Sequence, residues 1–153
     1  MAQVSEFYLP DELYYDKKDH LWARLEGNVV RVGMDQFAAC SAGTIAYVKI
    51  VPNGKEVKKG RPFGSLEAGK YVGPLKAPVS GTITDRNQAV LDDPKLLNTD
   101  HYDQGWFVVI TPTNVKEDLT DLAHGSDVQT WLQQDVSDYE TKGLLKPDRE
   151  KCK

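Results

Sequence analysis

At 153 residues the chain is long enough to bury the core of one domain and too short for two independent ones. Apolar residues make up 40% and charged ones 27%, a globular mixture with no apolar run long enough to cross a bilayer. The 19 Lys and Arg are scattered among 23 Asp and Glu for a formal charge of −4, so no basic stripe for a nucleic acid backbone is present.

The opening "MAQVSEFYLPDELYY" has neither the basic and apolar regions of a secretory leader nor the arginine-rich pattern of a mitochondrial one, which predicts a cytoplasmic, prokaryotic setting. Glu26-Gly27-Asn28 reads as a turn feeding a strand at Val29 to Val32. The stretch 34–42 predicts a helix that begins at or just before Asp35 and is ended by Gly43. Residues 44–50 predict a strand, followed by a turn at Pro52-Asn53-Gly54, where Asn and Gly tolerate positive φ. Short strands are predicted around Val57 and over 61–67, 71–77, 81–87 and 106–110. Pro94 is placed for the first turn of a helix in 92–98.

Ser126 and Gln129 form a capping-box pattern, and Val128, Trp131, Leu132, Val136 and Tyr139 then keep helical spacing, a stripe that predicts packing on the β core. The expectation is one all-β domain with minor α over 1–140, with 141–153 as a loose tail. Gly43-Thr44-Ile45 recurs as Gly81-Thr82-Ile83, as if similar half-sheets flanked the stretch between them.

Chemistry-bearing groups are sparse. Cys40 reads as a small, semi-buried apolar residue and Cys152 as an exposed thiol, and with only three histidines elsewhere neither belongs to a zinc-binding pattern. No nucleophile with a base at readable spacing, phosphate loop or metal cluster is evident, so no catalytic residue and no metal site is expected. One ammonium draws notice, that of Lys70 in "EAGKYVG", between two strand-forming runs. A turn lysine beside Gly69 lacks the burial that would make it a nucleophile, leaving an exposed handle or a merely solvated residue of an unmodified β-rich interaction module.

The segments "DHLW" (19–22), "AYVKIVPNGKEVKKGRPFGSLEAGK" (46–70), "LKAPVSGTI" (75–83) and "LLNTDHYDQGWFVVITP" (96–112) together resemble the H protein of the glycine cleavage system. The resemblance covers about Leu13 to Tyr139 and implies a lipoyl/biotinyl-type hammerhead, a flattened barrel of two small antiparallel sheets with flanking helices. It implies lipoic acid in amide linkage to Lys70, on an arm reaching on the order of 14 Å. It also implies that Glu67, Gly69 and Gly81 are read by the lipoate-protein ligase or lipoyl transferase; the plain readings are a strand carboxylate for Glu67 and a positive-φ turn glycine for Gly81. Biotin carriers share the architecture but set their lysine between methionines, whereas Gly69 and Tyr71 flank Lys70.

Glycine cleavage H proteins usually read Glu-Ser-Val-Lys at the acceptor and His-Glu-Trp near the N-terminus; this chain reads Glu67-Ala68-Gly69-Lys70 and His20-Leu21-Trp22. The departures favour the H-like lipoate-binding proteins of sulfur oxidation, whose dithiol serves a heterodisulfide-reductase-like complex. The alternative is glycine cleavage itself, with the P, T and L proteins as partners.

Overall fold

The computed structural model describes residues 2–4, 7–68 and 71–142. Strands β1 (Ala2–Val4) and β2 (Phe7–Leu9) form a two-stranded ribbon. A six-stranded antiparallel sheet joins β3 (Tyr14–Tyr15), β4 (Leu21–Glu26), β5 (Val29–Met34), β11 (Trp106–Pro112), β10 (Gly81–Arg86) and β7 (Glu56–Val57), in that spatial order. A three-stranded sheet is built from β6 (Tyr47–Ile50), β8 (Pro62–Ala68) and β9 (Tyr71–Lys76), with β8 central. The sheets do not close on themselves. The all-β expectation with minor helices holds, with a larger main sheet than foreseen and an additional N-terminal ribbon.

Alternation along the strands explains the main core. Val30, Val32, Leu66, Leu75, Ile83, Val108 and Ile110 turn inward from both large sheets into one cluster, which Phe63 and Phe107 join at register shifts in β8 and β11. A second cluster holds Phe7, Leu9, Leu13, Tyr15, Trp22 and Phe37 with Val128, Leu132 and Val136 of the C-terminal helix. That helix therefore packs on the sheet as expected, at the end where Tyr15 of β3 and Trp22 of β4 meet the N-terminal ribbon and α1 (Gln36–Ala42), and seals an annex there.

Turn chemistry matches the sequence at several points. Gly27 takes φ 63° in the two-residue loop closing the pair Glu26↔Val29. Gly43 takes φ 86° and ends α1, whose N-cap is Asp35. At Pro52-Asn53-Gly54 only the glycine goes to positive φ, 89°. Gly81, in contrast, is a strand residue of ordinary φ; a Cβ there would strike the Thr111 carbonyl oxygen and Pro112. Its requirement is close backbone approach, which corrects the turn reading. Gly43-Thr44-Ile45 and Gly81-Thr82-Ile83 are likewise unlike in structure, the first closing a helix and the second opening a strand.

Helices depart from expectation in five places. Asn87 is not the end of a strand but the cap of α2 (Gln88–Asp92), accepting from Ala89 N at 3.2 Å. The helix foreseen around Pro94 is α3 (Leu96–Thr99), and α4 (Val115–Asp118) has no sequence counterpart. The long helix α5 spans Ser126–Lys142, so Thr141 and Lys142 are helical; residues 143–153, including Cys152, lie outside the described residues. Gln129 does not complete a capping box: its amide bonds both the N–H and the C=O of Gln3, each at 3.0 Å, tying β1 to α5.

Candidate functional site

The strands β8 and β9 pair from Pro62↔Lys76 to Ala68↔Tyr71, the last pair before the stretch expected to carry the acceptor. Gly69 and Lys70 lie outside the described residues, and only two residues of sequence separate Ala68 from Tyr71. Glu67 is exposed on β8, paired with Tyr47 on one side and Val72 on the other. Gly81 sits apart from this group, buried in the six-stranded sheet between Val57 and Pro112.

A cleft of about 510 Å³ opens beside the same hairpin. Its apolar wall is made by Leu21, Met34, Phe37, Leu66, Ala68 and Leu75, so two strands that lead to the Lys70 stretch also line the cavity. Lys18, Asp19 and Ser41 add polar groups, and Tyr139 closes one side from α5. Burial, reinforced by neighbouring Asp16, pushes the Asp19 carboxyl above its ordinary value. Cys40 is 4% exposed on α1, in the annex core.

A cluster absent from the sequence expectations borders the cleft. His20 is 3% exposed and adopts φ 59°, a left-handed conformation uncommon outside glycine. Its Nδ1 lies 2.7 Å from Asp35 Oδ2 and its Nε2 2.6 Å from Asp135 Oδ2. The ring stacks between Phe37 and Trp131, with centroids at 4.6 and 4.5 Å. Burial by itself would push the imidazole pKa down; the two carboxylates outweigh it and raise the value to about 9. His20 is thus an imidazolium at neutral pH, donating from both nitrogens. Asp35 meanwhile accepts from Ala38 N at 2.8 Å, so one carboxylate caps α1 and pairs with His20. Asp135 brings α5 into the same cluster. His20 was visible in "DHLW" and Asp35 as a helix start; no local signal marks Asp135, which flanks the apolar stripe one residue before Val136.

Among the described residues no group of three or more His, Cys, Asp or Glu has the arrangement to hold a metal ion, and no helix is long and apolar enough to cross a membrane.

Comparison with known proteins supplies the remaining observation. The model of the glycine cleavage H-protein family matches residues 13–135. Glycine cleavage system H protein 2 of Aquifex aeolicus is 38% identical over 139 residues, covering 88% of this chain and 86% of its own. The glycine cleavage system H protein of Geobacillus thermodenitrificans is 41% identical over 108 residues, 71% of this chain and 84% of its own. The crystal structure of a glycine cleavage system H protein from Mycobacterium marinum superposes with a TM-score of 0.73 at 30% identity, covering 84% of this chain and 99% of that one.

Proposed function

The chain belongs to the glycine cleavage H-protein family, and from that premise we propose that it carries its lipoyl group on Lys70 and delivers an aminomethyl cargo between partner enzymes. Family members carry lipoic acid on a lysine and are carriers rather than catalysts, so the cofactor is lipoic acid and the activity belongs to the partners.

The observation that carries the reading is the hairpin with its cleft. Strands β8 and β9 pair through Ala68↔Tyr71 and wall the cavity, and Lys70 falls in the sequence between them, which supports the reading. The cavity fits a lipoyl group: about 510 Å³, apolar along Leu66, Ala68 and Leu75, with polar groups from Asp19 and Ser41. When bound, the cofactor supplies a pair of sulfurs able to hold a small group and to cycle between disulfide and dithiol. The chain's own part is to fix the attachment point on paired strands, shelter an apolar tail and present polar groups to the cargo.

The partners are accordingly a lipoate-attaching enzyme and the P, T and L proteins, acting in the cytoplasm. Glu67, Gly69 and Gly81 are assigned to recognition during attachment; Gly81 would act through sheet register, since it is buried.

Sulfur transfer through a heterodisulfide-reductase-like complex is the second reading. Its support is the acceptor motif and Leu21, which puts an apolar wall where glycine cleavage proteins usually have Glu. The relatives named above favour aminomethyl transfer, and Asp19 supplies the cleft with a carboxylate. Reconstitution decides: lipoylated protein should support glycine decarboxylation with the P and T proteins, Lys70→Ala should not, and failure of the lipoylated wild type would transfer the case to sulfur.

A further inference from the structure

A loop whose last residue is left-handed ordinarily ends on glycine or asparagine. The loop between β3 and β4 ends instead on His20, at φ 59°, with its imidazole held at both nitrogens. Asp16 N donates to Leu21 O at 2.9 Å to close the loop, and Asp16 Oδ1 accepts from Lys18 N and Asp19 N at 2.9 and 3.1 Å. The left-handed turn has a consequence for the cleft. Lys18, Asp19, His20 and Leu21 all line it, where an extended segment would send alternate residues to opposite faces.

Two elements hold His20. Asp35 ties it to the frame, since its carboxylate meets Nδ1, its N–H donates to His20 O at 3.0 Å, and the same residue caps α1. Helix α5 holds the loop from the other side: Trp131 stacks on the imidazole, its indole N–H donates to Lys17 O at 3.3 Å, and Asp135 accepts from Nε2. Tyr139, which lines the cleft, follows Asp135 as Asp135 follows Trp131, four residues on, so the three share one face of α5. That face lies beside the row Val128, Leu132 and Val136, which fills the annex core.

We propose that His20 is the positioning residue of the cleft: clamped between Asp35 and Asp135, it holds the loop bearing Lys18 and Asp19 on one rim and registers α5 so that Tyr139 closes the other. The clamp thereby sets the opening through which a lipoyl tail enters and leaves, an inference that rests on the cleft being the resting place of that group. Asp19 reports where the loop stands. Burial, then Asp16, holds its carboxyl above the ordinary value, while Lys76, Lys18 and His20 pull the other way. Loss of the imidazolium alone would raise Asp19 further, whereas a loop released into water would let it fall.

The test has two readouts: the Asp19 carboxyl titration by carbon NMR in unlipoylated protein, and the rate at which dithiothreitol reduces the lipoyl disulfide in lipoylated protein. His20→Asn tolerates the left-handed turn but is too short to bridge both aspartates, and Asp135→Ala removes the α5 side of the clamp. Each should move the Asp19 pKa down towards the ordinary carboxylate value and speed reduction several-fold. Asp135 keeps 24% of its side chain in solvent, so Asp135→Ala carries the test if His20→Asn does not fold. Asp135→Asn, whose amide oxygen still accepts from Nε2, should stay near wild type in both readouts. Leu132→Ala destabilises α5 from its buried side and should move neither. An Asp19 pKa that holds or rises in both His20→Asn and Asp135→Ala overturns the inference, as does a fall in Asp19 with the reduction rate unchanged. Wild type reduced as fast as free lipoamide overturns the sheltering role of the cleft itself, a result read independently of Asp19.

Discussion

His20 holds a left-handed backbone conformation that costs a non-glycine residue on the order of 1 kcal/mol, and the two aspartates and two aromatic rings around it offset that cost. The folded pKa of about 9 lies above the ordinary 6.5. Stability from this group is therefore fully present below pH 6.5 and is lost as pH rises through about 9. The urea midpoint of the wild type should fall between those pH values, and Asp135→Asn should flatten the slope. Asp135 keeps 24% of its side chain in solvent, so removing it should cost about 2 kcal/mol, below the full penalty of an orphaned buried charge. A second residue separates the two cargo readings. An aminomethyl group is a cation when protonated and sulfane sulfur is not, so Asp19→Asn should slow transfer to the T protein several-fold if the cargo is aminomethyl. A rate equal to wild type would count against a role for this carboxylate.

Strands and helices follow local physics closely where the pattern is local. Glycine and proline punctuation foretold seven strands from Val29 onward, because each turn needs residues with particular φ and the strands between are β-rich. The N-terminal strands β1 to β4 escaped notice although each pairs with a near neighbour in sequence, because β1 to β3 are only two or three residues long and too short to show an alternation. Long-range contact defeated the reading of Gln129, whose partner Gln3 stands 126 residues away. The site divides the same way: the proposed acceptor rests on a contiguous motif, whereas the His20 cluster joins residues 15 and 115 positions apart. Gly81→Ala should destabilise the β10 and β11 pairing by about 2 kcal/mol, the usual cost of overpacking, seen as a lower denaturation midpoint. On α5, Leu132→Ala should cost about 3 kcal/mol because its side chain is fully buried in the annex core. Far-UV circular dichroism of both variants at low denaturant should remain that of the wild type.

At the scale of the molecule, two packed sheets hold a hairpin whose strands wall a cleft, and the annex sealed by α5 supports the cleft from behind through Phe37, His20 and Tyr139. In the proposed function, rigid strands fix where the arm begins, and the cleft offers its apolar tail a place to rest between partners. That division of labour is the work of a carrier, and it rests on one covalent bond. The direct measurement is peptide mapping by mass spectrometry after expression with an active lipoate-protein ligase. One lipoyl group on Lys70, absent from Lys70→Arg, is the predicted result; an unmodified Lys70 beside a fully lipoylated reference H protein in the same cells would contradict the account.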